Sequence, residues 1–94
     1  MNQFEVVRFE GNPGVVVSAD DLPDRRRVVV IPLMQGYPAI PHLDPEVRFD
    51  GKTYTLATMY TASGQASALE ATGHSVSMYR NDIIRAMDIL NGSY

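Results

Sequence analysis

Residues 46–56 run Glu46-Val47-Arg48-Phe49-Asp50-Gly51-Lys52-Thr53-Tyr54-Thr55-Leu56. Val47 and Phe49 alternate with Glu46, Arg48 and Asp50, and Tyr54 and Leu56 alternate with Thr53 and Thr55. This is the period of two that a strand with one buried face requires. Between the runs stands Asp50-Gly51, a pair suited to the positive φ angles of a two-residue hairpin turn. The stretch predicts antiparallel strands near residues 46–50 and 53–60, and with them a mainly β fold.

Upstream, Val28-Val29-Val30-Ile31 is β-branched throughout and only four residues long, which fits a strand covered on both faces better than a helix. Pro32 is expected to stop that run. Pro38, Pro41 and Pro45 follow, so Pro32 to Pro45 is expected to be an irregular excursion. Nearer the N-terminus, Phe4 to Phe9 has strand length and is closed by Gly11-Asn12-Pro13-Gly14. Val15-Val16-Val17 restarts an extended segment that Asp20-Asp21-Leu22-Pro23-Asp24 ends. Strands are therefore expected near 3–9, 15–19 and 27–33.

Downstream, residues 63–77 are small and polar, with Gly64 and Gly73, and fit either a short helix or more extended chain. The last segment is a helix near 81–91. Asn81 can cap it, and Asp82 places negative charge in its first turn. Ile83, Met87 and Leu90, with Ala86 beside them, form one apolar stripe, and Asn91-Gly92 is a stop signal.

The chain has 94 residues, 45% of them apolar, and a formal net charge of −3. That size suits one domain spanning 1–94 with a real but modest core. It contains no cysteine, which leaves oligomerisation as the common way to add buried area. No signal peptide or membrane-length apolar run is evident, so the expected location is cytoplasmic. The acidic balance argues against a generic nucleic-acid binder. Arg25-Arg26-Arg27 reads as a solvated turn before a strand.

Catalytic chemistry finds no support in the residues. His42 and His74 stand alone in loop-like contexts, too few for a metal site, so no metal and no cofactor are expected. No serine sits in a nucleophile elbow or a triad spacing. Asp20, Asp21 and Asp24 read as turn residues around Pro23 rather than an acid–base pair. Tyr37, Tyr60 and Tyr79 read as half-buried tyrosines of a small barrel rather than base-stacking residues.

Three stretches in order resemble the CcdB family of plasmid-addiction toxins. Arg27 with Val30-Ile31-Pro32-Leu33 is similar to the family's Arg-Arg-Met-Val-Ile-Pro-Leu strand. Leu43, Pro45 and Val47 lead through the hairpin to Thr58 and Ala62-Ser63, with Tyr54 where the family has an aromatic residue. Asn81-Asp82-Ile83, with Ala86, opens the terminal helix. The resemblance covers nearly the whole chain and implies an SH3-like antiparallel β-barrel with the helix packed on it (the CcdB/MazF-like fold), assembled as a twofold homodimer. Met87 and Leu90 would contribute to the dimer interface. It further implies a non-enzymatic toxin that poisons DNA gyrase through its A subunit and is neutralised by a CcdA-like antitoxin, touching DNA only with that antitoxin at its operator.

The family's target-binding positions are altered here. Its helix ends in Phe-Trp-Gly-Ile, whose last three residues carry gyrase poisoning, and the same positions read Asn91-Gly92-Ser93-Tyr94. Losing a tryptophan hot spot is worth about 2 kcal/mol or more, roughly thirtyfold in affinity. Leu22 aligns with one of two adjacent isoleucines that grip gyrase, Asp21 replaces the other, and Asp88 stands in place of an asparagine. Leu22, Asp88, Gly92, Ser93 and Tyr94 are thus the candidate target-binding residues. Two other readings share the scaffold: a non-toxic or retargeted relative, and a MazF-like endoribonuclease, against which the acidic balance and the motif order weigh.

Overall fold

Strand β4 (Glu46–Phe49) and strand β5 (Lys52–Leu56) pair antiparallel, with Phe49 opposite Lys52 and Val47 opposite Tyr54. Asp50 (φ 54°) and Gly51 (φ 75°) alone form the turn, both in the left-handed region that a tight hairpin needs. Val47, Phe49, Tyr54 and Leu56 are buried, as their alternation predicts. The structure is a computed structural model that describes residues 1–92; Ser93 and Tyr94 lie outside the described residues.

The remaining strands are β1 (Glu5–Phe9), β2 (Asn12–Val16), β3 (Arg27–Met34), β6 (Ala62–Gln65) and β7 (Glu70–Ser75). They form an antiparallel sheet in the order β4-β5-β3-β2-β1-β7, with β6 added to the first half of β3. The sheet curls into a half-barrel, and helix α1 (Arg80–Asn91) follows it. This is the mainly β fold with a C-terminal helix that the sequence predicts.

Several boundaries differ from expectation, each for a physical reason. Pro32 does not end β3. It sits where β3 passes from pairing with β6 at residues 27–30 to pairing with β5 at 33–34, so its missing N–H breaks no ladder bond on that side. The first hairpin turns at Glu10 (φ 50°) and Gly11 (φ 84°), which brings Asn12, Pro13 and Gly14 into β2. Pro13 is tolerated there because the β2–β3 ladder begins only at Gly14 opposite Pro32. The strand expected to run to residue 60 stops at Leu56, and Thr58–Tyr60 form a 3-10 turn.

Residues 63–77, which the sequence leaves open, contribute most of β6, all of β7 and the 3-10 turn Ala66–Ala68, and end at the start of another, Ser77–Tyr79. Their side chains are mostly exposed, so no apolar alternation marks them. Long-range pairing with β3 and β1 holds them extended.

Asn81 is not the helix cap. The Ser77–Tyr79 turn runs directly into α1 with Tyr79 at the N-cap and no side-chain cap bond, so Asn81 falls inside the first turn with Asp82. Ile83 joins the main core beneath the sheet, Ala86 is buried, and Met87 is half-buried against that core. Burying an isoleucine contributes roughly 2–3 kcal/mol. At the far end Gly92 adopts the left-handed cap (φ 72°), its N–H donating to the carbonyls of Asp88 and Ile89, as Asn91-Gly92 predicts.

A polar knot joins the proline-rich excursion to the turn after β5. Asp44 is buried. Its carboxylate accepts the Ile40 N–H at 2.9 Å and the Thr58 N–H at 3.1 Å, and the Thr58 hydroxyl donates to the Leu43 carbonyl. Truncating Asp44 leaves two backbone donors without their acceptor. Asp44→Ala is expected to lower stability by about 2–4 kcal/mol in urea unfolding, with Asp44→Asn, which keeps an acceptor oxygen, losing less.

Candidate functional site

The loop between β2 and β3 carries the first candidate residue. Residues 19–26 are all exposed, and Leu22 lies 42% exposed among them. The loop is nonetheless tied down. The Asp20 carboxylate accepts the Gln3 N–H at 2.6 Å, Gln3 Nε2 donates to the Val17 carbonyl at 3.1 Å, and Arg25 Nη2 donates to the Met1 carbonyl at 2.8 Å. Within the loop, Arg26 donates to Asp24 from its backbone N–H, Nε and Nη2 at 2.8–3.0 Å. Asp20 and Asp24 are thus hydrogen-bond acceptors of a turn, as the clustering around Pro23 suggests.

The second group lies on α1. Met87 packs on the core while Leu90, one turn on, is 38% exposed. Asp88 is exposed in the last turn, which contains no basic residue. A carboxylate at that end opposes the helix dipole, an arrangement costing about 0.3–1 kcal/mol. Gly92 spends its backbone on the cap. Met87, Asp88, Leu90 and Gly92 therefore share one helix end, whereas the hydrogen bonds of the Leu22 loop run to the N-terminal segment instead. Ser93 and Tyr94 lie outside the described residues.

Two features escape sequence reasoning. A second, smaller apolar cluster of Val7, Val16 and Val28 lies on the opposite face of the sheet from the main core. Beside it runs a groove of about 310 Å³ lined by Val7, Phe9, Val30, Pro32, Tyr60 and Leu69, among others. Phe9 and Tyr60 are 49% and 59% exposed on it. The signal available was the unbroken Val6-Val7 and Val15-Val16 pairs, which place apolar side chains on both faces of β1 and β2. The other feature is an aromatic contact at the hairpin: His74 meets Phe49 edge-on with centroids 5.2 Å apart, and the Arg8 guanidinium lies 5.6 Å from the same ring.

Electrostatically the site is plain. The Arg26 side chain, then its backbone N–H and the nearby Arg27 charge, hold the Asp24 carboxyl below its ordinary value. Tyr37, edge-on to Tyr60 at 6.1 Å, has its hydroxyl pushed up by partial desolvation, the Asp44 carboxylate and Tyr60. Among the described residues no three of His, Asp or Glu gather where they could hold a metal ion. No helix among them is long and apolar enough to cross a membrane.

A curled half-barrel with a C-terminal helix, a hydrogen-bonded exposed loop and a capped helix end defines a small antiparallel β protein. The family model described as CcdB protein matches residues 3–92, and the chain belongs to the CcdB family. No curated protein matches it significantly. Membership supports a CcdB-like toxin of a toxin–antitoxin pair, in a family whose toxin binds gyrase and is not itself an enzyme.

The loop clip has a defined pH range. Because the folded-state pKa of Asp24 is depressed, the clip's contribution is fully present above the ordinary value of 3.8 and is lost as pH falls through the lowered one. An NMR titration of the Asp24 carboxyl is expected to show a midpoint below 3.8, returning to the ordinary carboxylate range in Arg26→Ala.

Proposed function

We propose that the chain is a gyrase-directed toxin: a homodimer that binds the A subunit of DNA gyrase, traps it on cleaved DNA, and is neutralised by a CcdA-like antitoxin. It acts in the cytoplasm as one domain, without catalysis, metal or cofactor, and meets DNA only with its antitoxin at an operator. The family match over residues 3–92 carries this reading. Leu22, Asp88 and Gly92, with Ser93 and Tyr94, are the target-binding positions, and Met87 and Leu90 belong to the dimer seam. The half-exposed side chain of Leu22 and the partial exposure of Leu90 support both assignments, since an apolar residue held in water gains most from a partner. A partner subunit over Leu90 also adds burial that a 94-residue chain lacks. Light scattering at micromolar concentration is expected to give the mass of two chains; a single-chain mass overturns the dimer.

The tail weakens gyrase poisoning relative to a toxin ending in Trp-Gly-Ile. Gly92 has no side chain to bury and is committed to the helix cap, leaving Tyr94 as the aromatic anchor. That observation also favours the second reading, a relative retargeted to another protein. Replacing residues 92–94 by Trp-Gly-Ile is expected to strengthen gyrase-mediated DNA cleavage by about thirtyfold or more, and deleting them to abolish what remains. Strong poisoning by the unmodified chain that survives the deletion would contradict the assignment.

A further inference from the structure

The β2–β3 loop combines two properties that seldom coincide. Residues 19–26 are all exposed, which in a connection this long ordinarily means many conformations. Yet both its ends are tied to the same three N-terminal residues, through Asp20 to the Gln3 N–H and through Arg25 to the Met1 carbonyl. Across the second tether Asp24 is clipped to Arg26. On the β3 side the Ser18 hydroxyl accepts the Val29 N–H at 3.1 Å. Pro23 restricts Leu22 to extended backbone.

What this framework holds up is an apolar side chain in water. Leu22 belongs to neither apolar cluster of the protein. Its neighbour Asp21 is exposed and makes no hydrogen bond or ion pair among the described residues. Ordering a loop before binding removes the entropy that the complex would otherwise lose. Tethers that bury nothing themselves have that effect.

We infer that Asp20 and Arg25 are positioning residues, which lock the loop in one conformation so that Leu22 is presented as a preformed anchor. The inference deepens the gyrase reading and rests on it. The complementary surface is a leucine-sized apolar hollow bordered by positive charge, which Asp21 meets. Asp20 and Arg25 touch the partner only through the loop they hold.

The test compares the full chain with Leu22→Ala, Asp20→Ala, Asp20→Asn, Arg25→Ala and Arg25→Lys. It measures thermal midpoints, amide hydrogen exchange over residues 18–27 and affinity for the gyrase A subunit. Leu22→Ala is expected to leave loop exchange unchanged and to weaken binding about tenfold or more. Asp20→Ala and Arg25→Ala are expected to speed loop exchange and weaken binding about three- to tenfold with little change in thermal midpoint. Asp20→Asn, which keeps an acceptor oxygen, and Arg25→Lys, which keeps a donor, restore both. Binding by the full chain that none of the alanine variants alters overturns the inference and leaves the gyrase reading standing. Exchange at the unprotected rate in the unmodified loop overturns it as well. Absence of binding by the full chain overturns the gyrase reading, and the anchor role falls with it.

Discussion

Strand β3 is the member through which the two parts of the sheet are joined. It pairs with β2 along one edge, while the other edge is divided between β6 at its start and β5 at its end. Both faces of this strand are also covered, since Val28 and Ile31 are buried on opposite sides. Pro32 marks the place where the divided edge changes partner. Its lack of an N–H there is compatible with the gap between β6 and β5, and its carbonyl still accepts the Ala57 N–H at 3.0 Å. The curl of the sheet follows, since β5 and β6 cannot both continue flat from one edge. Gly14 lets β2 approach on the opposite edge: a Cβ built there would stand 2.6 Å from Val30 Cγ1.

How legible this was depends on the range of the interaction concerned. The Asp50-Gly51 hairpin and the apolar stripe of α1 are local patterns; the hairpin is found where the sequence puts it, and of the stripe Ile83, Ala86 and Met87 face the core while Leu90 stays 38% exposed. Gly92 as the helix stop is equally local. Residues 62–65 and 70–75 carry no pattern of their own, because their strands lie at the sheet margin with most side chains in water; only pairing across the fold makes them strands. Asn81 misled because a 3-10 turn already leads the chain into α1, so no open N-terminus is left to cap. Among the candidate site residues, the exposure of Leu22 follows from the turn chemistry around Pro23. Its tethers do not, since Asp20 and Arg25 reach back to Gln3 and Met1, 17 and 24 positions away.

The two faces of the sheet are treated differently. The main core is closed by α1, and Ile31, Leu56 and Ile83 within it are fully buried. On the other face Val7, Val16 and Val28 are packed against by Met1, Val30 and Leu69, and Phe9 and Tyr60 help to line the groove beside them. The Asp44–Thr58 knot sets the backbone just before Tyr60, and Tyr37 from the excursion rests edge-on against that ring. The excursion is therefore held to the turn before β6 at two points, one polar and one aromatic, although it has no regular structure.

Tyr79 has a double position. It is the residue at which α1 begins, and its hydroxyl accepts the N–H of Arg48 at 3.1 Å on β4, the strand at one end of the sheet. An outermost strand invites pairing with a stranger through its unused backbone donors, and here one of those donors is occupied by the helix that docks beside it. Helix docking and protection of that margin are consequently one event. If the first turn of α1 loosens, through heat or a substitution at Ile83, the same motion uncovers a donor on β4. A loosened helix start therefore leaves one more backbone donor free on the outermost strand, where the strand of another chain can pair with it.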